Sequence, residues 1–90
     1  MVHRKIVING TVQDVSFRIQ TKRKAEQLGI TGLIRNKPDG SVMIEAHGDE
    51  RAMRVFLIWC KRGPIGATID RVVASSLSSE HTPNSFTIIP

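Results

Sequence analysis

Gly10-Thr11-Val12-Gln13-Asp14-Val15-Ser16-Phe17-Arg18 joins an apolar run, Ile6-Val7-Ile8, to a stretch of helical periodicity, and it ends in an arginine. Arg4 to Asn9 reads as a strand that Gly10 stops. From Phe17 to Leu28 there is neither glycine nor proline. Phe17, Thr21, Ala25 and Leu28 recur at i, i+4, i+8 and i+11, which places them on one face of a helix that Gly29 closes at C′. A loop entering a helix presents free backbone N–H groups and the positive end of the helix dipole, and Arg18 adds a planar fork of donors. Together these parts make a cradle for an oxyanion or a phosphate.

Beyond this segment, Gly32 to Asn36 and Ser41 to His47 flank Lys37-Pro38-Asp39-Gly40, a turn signal that predicts a hairpin. In the second arm Val42, Ile44 and Ala46 alternate with Ser41, Met43, Glu45 and His47, the pattern of a half-buried strand with His47 exposed on its polar face. Asp49 is placed to cap a second helix, on which Ala52, Val55, Phe56 and Trp59 mark the buried face. Lys61 and Arg62 suit its negative end, and Gly63-Pro64 terminates it. Thr68 to Ala74 reads as a strand with Ile69 and Val73 on one side and Val72 on the other. A polar stretch from Ser75 to Asn84 leads to a short last strand, Ser85 to Ile89. The order β-α-β-β-α-β with a short C-terminal strand predicts an α+β ferredoxin-like split βαβ sandwich, an antiparallel sheet packed against two helices. In that architecture the strand-to-helix loop and the end of the second strand face one crevice, so Arg18 and Asn36 converge on one ligand.

The 90 residues suit a single domain, 1–90, with one modest core. Hydrophobic residues make up 40% and charged residues 23% of the chain, a globular rather than a disordered composition. The apolar runs are far shorter than the roughly 20 residues a membrane span needs, and the basic N-terminus lacks a signal-peptide core, so the expected compartment is the cytoplasm. Cys60 is the only cysteine, which excludes an internal disulfide. His3, His47 and His81 show no metal-ligand spacing, so no metal and no cofactor are expected. The formal charge of +5 favours anionic partners without selecting among them. Lys22-Arg23-Lys24 reads as a solvated helix face rather than a nucleic-acid site, because the only aromatic residues, Phe17, Phe56, Trp59 and Phe86, fall at core positions. Trp59 and Cys60 read as packing residues, since no base is placed to activate the thiol.

The chain resembles the acylphosphatase family. The resemblance lies in Gly10-Thr11-Val12-Gln13, Val15 and Phe17-Arg18, in Ala25 with Leu28-Gly29, and in Thr31-Gly32 with Arg35-Asn36. It continues through Asp39-Gly40-Ser41-Val42, Gly48, Trp59 and Gly63-Pro64, covering nearly the whole chain in the family's order. What the resemblance implies is a metal-free, cofactor-free hydrolase that splits acyl phosphates into carboxylate and inorganic phosphate and acts as a monomer. By the same resemblance, Arg18 binds the phosphoryl oxygens, Asn36 orients the attacking water, and the loop formed by Gln13, Asp14, Val15, Ser16 and Phe17 wraps the phosphate with backbone N–H groups.

Two residues depart from the family's usual glycines, Asp14 and, less diagnostically, Ser16. If the Asp14 carboxylate points into the cradle it opposes the phosphate, by roughly 1 kcal/mol per pair of charges in water and about 4 at an intermediate dielectric; pointing outward it costs little. Ser16 is suited to cap the helix or to donate its hydroxyl to phosphate. The alternative expectation is therefore an acylphosphatase-like module of weak or no activity that binds an anion or a partner. An RNA-binding sandwich is a third reading that the fold alone allows.

Overall fold

The structure, a computed structural model, describes residues 1–78 and 81–90. Strand β1 (Val2–Thr11) leads through the loop into helix α1 (Val15–Gln27), followed by the hairpin β2 (Thr31–Asn36) and β3 (Val42–Gly48). Helix α2 (Glu50–Arg62), β4 (Thr68–Ser76) and the short β5 (Phe86–Ile88) complete the chain. The polar stretch expected over 75–84 includes residues 79 and 80, which lie outside the described residues.

The strands form one sheet in the order β4-β1-β3-β2-β5. β1 to β4 pair antiparallel, as expected of a ferredoxin-like sandwich, whereas β5 pairs parallel with β2, so the sheet is mixed. β4 and β5 lie at opposite edges of the sheet, and β5 runs parallel to β2.

Both helices pack on one face of the sheet. α1 lies against β2 and β5, and α2 against β3 and β4. Phe17, Thr21 and Ala25 are buried, and the half-buried Leu28 packs on the core, so the predicted face of α1 is the observed one. The Thr21 hydroxyl is satisfied within the helix by donating to the Phe17 carbonyl at 2.8 Å. Gly29, at φ +73°, turns the chain out of α1 in a conformation that side chains rarely adopt.

On α2 the buried centre is Met53, Phe56 and Cys60. Ala52 and Trp59 flank it, and Val55 is exposed, so the buried stripe lies to one side of the predicted one. The i, i+3, i+4 and i+7 set and the i, i+3 and i+7 set overlap at Phe56, and the sheet chooses between them. Asp49 is the cap, its Oδ1 accepting the Ala52 N–H at 2.7 Å.

Two further expectations are corrected. His47 is buried, only 3% exposed, rather than exposed on a polar face. β3 is the middle strand, so side chains from both neighbours close over the face that carries no helix, and Met43 is buried there for the same reason. On β4 both Ile69 and Val72 pack on the core while Val73 is exposed. Asn9 pairs with Arg71 but Gly10 with Ile69, leaving Asp70 as the extra residue of a bulge that resets the alternation. Gly10 makes this close approach feasible: at φ +146°, a Cβ there would lie 2.0 Å from the Thr68 carbonyl oxygen.

Candidate active site

The loop after β1 is where the chain turns from ladder to helix. Asp14 sits at φ −66° and ψ 140°, an ordinary extended conformation, so its backbone suffers nothing from the lack of a glycine. It is also the N-cap of α1, the place considered for Ser16: its Oδ1 accepts the Ser16 N–H at 2.8 Å and its carbonyl accepts the Phe17 N–H at 3.0 Å. The carboxylate is thus turned back onto the first helical turn. Of the loop N–H groups, those of Gln13, Asp14 and Val15 are unengaged among the described residues. The Ser16 hydroxyl accepts from Gln20 Nε2 at 3.0 Å instead. Phe17 is buried in the core, whereas Val15 is 57% exposed.

The Gln13 side chain does what its spacing in the sequence does not reveal. Its Nε2 donates to the Lys37 carbonyl at 2.7 Å and to the Ser41 carbonyl at 2.9 Å, pinning the loop to the β2–β3 turn. That turn is itself braced by Asp39, whose Oδ1 accepts the Ser41 N–H at 3.0 Å and the Ser41 hydroxyl at 2.6 Å. Ser41 holds the Asp39 carboxyl below its ordinary pKa, with Lys37 adding to the effect. A glutamine in an exposed loop carries no sequence signal for such a bridge.

Register brings Asn36 to the same end of the sheet. Asn36 pairs with Val42, Val42 with Ile8, and Ile8 with Val72, in one row on the helix-facing side. β1 and β2 run the same way through β3, so Asn36 ends β2 where the loop leaves β1. Arg18 lies in the first turn of α1, the helix that covers β2. No hydrogen bond joins Arg18 to Asn36 among the described residues. Each nevertheless keeps a buried polar atom without a hydrogen-bond partner, Arg18 Nε and Asn36 Oδ1. Such atoms are costly to leave unpaired, and here they sit beside a loop whose free N–H groups seek an anion.

Elsewhere the reactive side chains lack the setting for chemistry. Cys60 is buried and its thiol is pushed up to about 12 by desolvation, so it is no nucleophile. Among the described residues no group of three His, Cys, Asp or Glu side chains is arranged to hold a metal ion, and no helix is long and apolar enough to cross a membrane. His47 is partnered by His3 across the β1–β3 ladder, with Nδ1 to Nδ1 at 2.6 Å. One ring donates and the other accepts.

A ferredoxin-like sandwich whose strand–loop–helix turn offers free N–H donors, with an arginine and an asparagine at the same end, defines the class: a small α+β protein of two helices on one sheet. Residues 4–88 match the family model described as Acylphosphatase. An acylphosphatase of Synechococcus sp. (strain CC9311) is 45% identical over 73 residues, 81% of each chain. One from Alkalilimnicola ehrlichii is 40% identical over 86 residues, 96% of each. The crystal structure of acylphosphatase from Bacillus subtilis superposes with a TM-score of 0.91 at 30% identity over the whole of both chains. The chain belongs to the acylphosphatase family, enzymes that act on small-molecule acyl phosphates.

Proposed function

We propose that the chain hydrolyses acyl phosphates with Arg18 and the loop of residues 13–17, through the free N–H groups of Gln13, Asp14 and Val15, holding the phosphoryl group and Asn36 aiming the water. The observation that carries this is the pair of buried, unpartnered atoms, Arg18 Nε and Asn36 Oδ1, at the end of the sheet where the loop opens. The water oxygen attacks phosphorus, the bond from phosphorus to the acyl oxygen breaks, and the carboxylate leaves with the electron pair. The water's protons remain with the phosphate, giving dihydrogen phosphate from an acyl phosphate dianion.

A carboxylate leaves readily, so the site needs little general acid; its work is charge neutralisation and positioning. The guanidinium spreads its donors over phosphoryl oxygens in a way a lysine cannot reproduce. The amide of Asn36 has a buried acceptor, Oδ1, that can accept a hydrogen bond from the water and so fix the direction of its lone pair. The substrate phosphate replaces the missing partner of Arg18 Nε.

Residues 1–90 act as one domain on this reading, as a cytoplasmic monomer without cofactor or nucleic acid. The lone buried cysteine suits a reducing compartment, and Phe17, Phe56 and Phe86 are buried where bases cannot stack on them.

Benzoyl phosphate hydrolysis by wild type, Arg18→Gln and Asn36→Ala tests the assignment. Asn36→Ala is expected to lower kcat about 10²–10³-fold, as loss of one preorganised polar group does, and Arg18→Gln to lower kcat/KM about 10³-fold. Equal rates in all three proteins would remove both residues from the mechanism.

A further inference from the structure

The charge of the chain is unevenly placed. Helix α1 carries Arg18, Lys22, Arg23 and Lys24 against Glu26 alone, and α2 carries Arg51, Arg54, Lys61 and Arg62 against Glu50 alone. The helix layer therefore holds the whole of the formal +5. Each helix turns one face to the sheet, and the opposite face follows one spacing, i, i+4, i+7 and i+11. On α1 this face is Val15, Ile19, Lys22 and Glu26, and on α2 it is Arg51, Val55, Ile58 and Arg62. Ile58 is 65% exposed, and Val15, Ile19 and Val55 are exposed with it, outside the core. Between the helices lies an open cleft of about 290 Å³, lined by Gln20, Arg23, Lys24, Gln27 and the half-buried Trp59.

We propose that the outer face of α1 and α2 docks peripherally on an anionic lipid surface, an inference independent of the hydrolytic reading above. Charge complementarity selects the partner: cations gathered on one face call for an anionic surface of matching extent, and each one close to anionic headgroups strengthens binding about fivefold. The aliphatic side chains narrow the choice further. A membrane is apolar just beneath its charged headgroups, so exposed isoleucine and valine interleaved with lysine and arginine suit helices that lie in the interface plane. Single-stranded nucleic acid would instead use exposed aromatic platforms, and this face offers aliphatic residues beside one half-buried indole.

The details of the face agree with that partner. Arg51 and Arg62 bracket Val55 and Ile58 along α2, and Lys22 and Arg23 lie one turn beyond Ile19 on α1, so each of these apolar residues has a cation within a turn. The opposing carboxylates sit at helix ends, Glu50 paired with Arg54 at 3.5 Å and Glu26 in the last turn of α1. The cleft contributes a seat for one headgroup. Arg23 and Lys24 suit its phosphate, Gln20 and Gln27 its ester and hydroxyl oxygens, and Trp59 brings a ring with an apolar body and a polar N–H, the kind that settles at membrane interfaces. On the open face of the sheet, by contrast, Lys5 lies opposite Glu45 in the ladder.

The test is cosedimentation of the protein with vesicles of phosphatidylcholine alone and of phosphatidylcholine mixed equally with phosphatidylglycerol. Binding is expected to the mixed vesicles only, and to fade in high salt. Arg23→Glu/Arg51→Glu is expected to weaken it at least about 25-fold, and Ile58→Ser about 10-fold through the lost apolar contact. Lys5→Glu/Arg71→Glu makes the same charge change on the open face of the sheet and should alter binding little. All five side chains are exposed, so the substitutions spare the core, and the urea midpoint of each variant verifies its fold. Equal losses in the two double variants would mean attraction by net charge alone and would overturn the docking face, as would an Ile58→Ser protein that binds like wild type. Failure of wild type to bind the mixed vesicles would also overturn it, and salt-sensitive binding of a single-stranded polynucleotide in its place would give the face to nucleic acid.

Discussion

Asp14 stands in the loop where the acylphosphatase resemblance implies a glycine, and the structure gives its carboxylate a definite place. Its φ is ordinary, so no backbone strain accompanies it; its carboxylate serves the helix as a cap and takes the Ser16 N–H from the cradle. An incoming phosphate therefore meets both a negative charge and one donor fewer. Asp14→Gly is expected to tighten competitive inhibition by inorganic phosphate and to raise kcat/KM, each about 10-fold, the equivalent of roughly 1.4 kcal/mol of relieved repulsion. Glycine is itself an acceptable cap, so stability should fall by only a few tenths of a kcal/mol. Phosphate inhibition constants for the two proteins check this; identical values would put the carboxylate outside the field of the bound anion. From the sequence, the charge at position 14 was evident but its direction was not, because a side-chain torsion depends on which backbone N–H lies nearest once the helix has formed.

Among the elements, the joint between the loop and the β2–β3 turn matters most. Gln13 makes it with two hydrogen bonds from one amide nitrogen, and since both acceptors are carbonyls the orientation of the amide is fixed. Gln13→Ala is expected to cost about 1–2 kcal/mol in urea unfolding, one ordinary increment per bond. Its effect on turnover should be larger, a fall in kcat of about 10–10²-fold, because the loop and Asn36 lose their mutual positioning. Loss of stability with kcat unchanged would reduce Gln13 to a purely structural brace. The elements themselves were mostly legible: the Asp49 cap of α2, the hairpin turn and the stop at Gly29 all follow from local chemistry, whereas the cap of α1 is Asp14 rather than Ser16. Three features were not. Asp70 bulges because β4 must pair with a strand that contains Gly10, the α2 face shifts toward Met53 and Cys60 to meet the sheet, and β5 joins β2 in parallel. Each depends on a partner distant in sequence.

For the whole molecule, the buried His47, in contact with the half-buried His3, links stability to pH. Burial lowers the pKa of His47 below 6.5, the nearby His3 lowers it further, and Glu45 opposes them. Lys5, opposite Glu45 in the same ladder, shares that face. A histidine with a depressed native pKa binds fewer protons folded than unfolded, so stability is full above about pH 6.5 and declines as pH falls from there through the native pKa. The urea midpoint should therefore drop between pH 7 and pH 5, and His47→Gln should flatten the slope. A wild-type profile that is level over this range would exclude the pair as its source. Alternation along β3 read His47 as exposed, and the error has a simple origin: a polar residue on the open face of a sheet is exposed at an edge but covered by its neighbours in the middle, and strand order is invisible to a local pattern.

What the sequence determined by itself was local: the order and kind of the strands and helices, the turn at 37–40, the stop at Gly29, and through its motifs the family to which the chain belongs. Those features are set by near neighbours, through capping, glycine geometry and hydrophobic period, and so survive without a fold. The tertiary structure alone decided that His47 is buried, that β4 bulges, that Gln13 bridges to the hairpin, and that the Asp14 carboxylate turns onto its own helix. In each of these the deciding partner comes from another element or from a hydrogen-bond geometry that exists only after packing, and one-dimensional spacing carries no record of it.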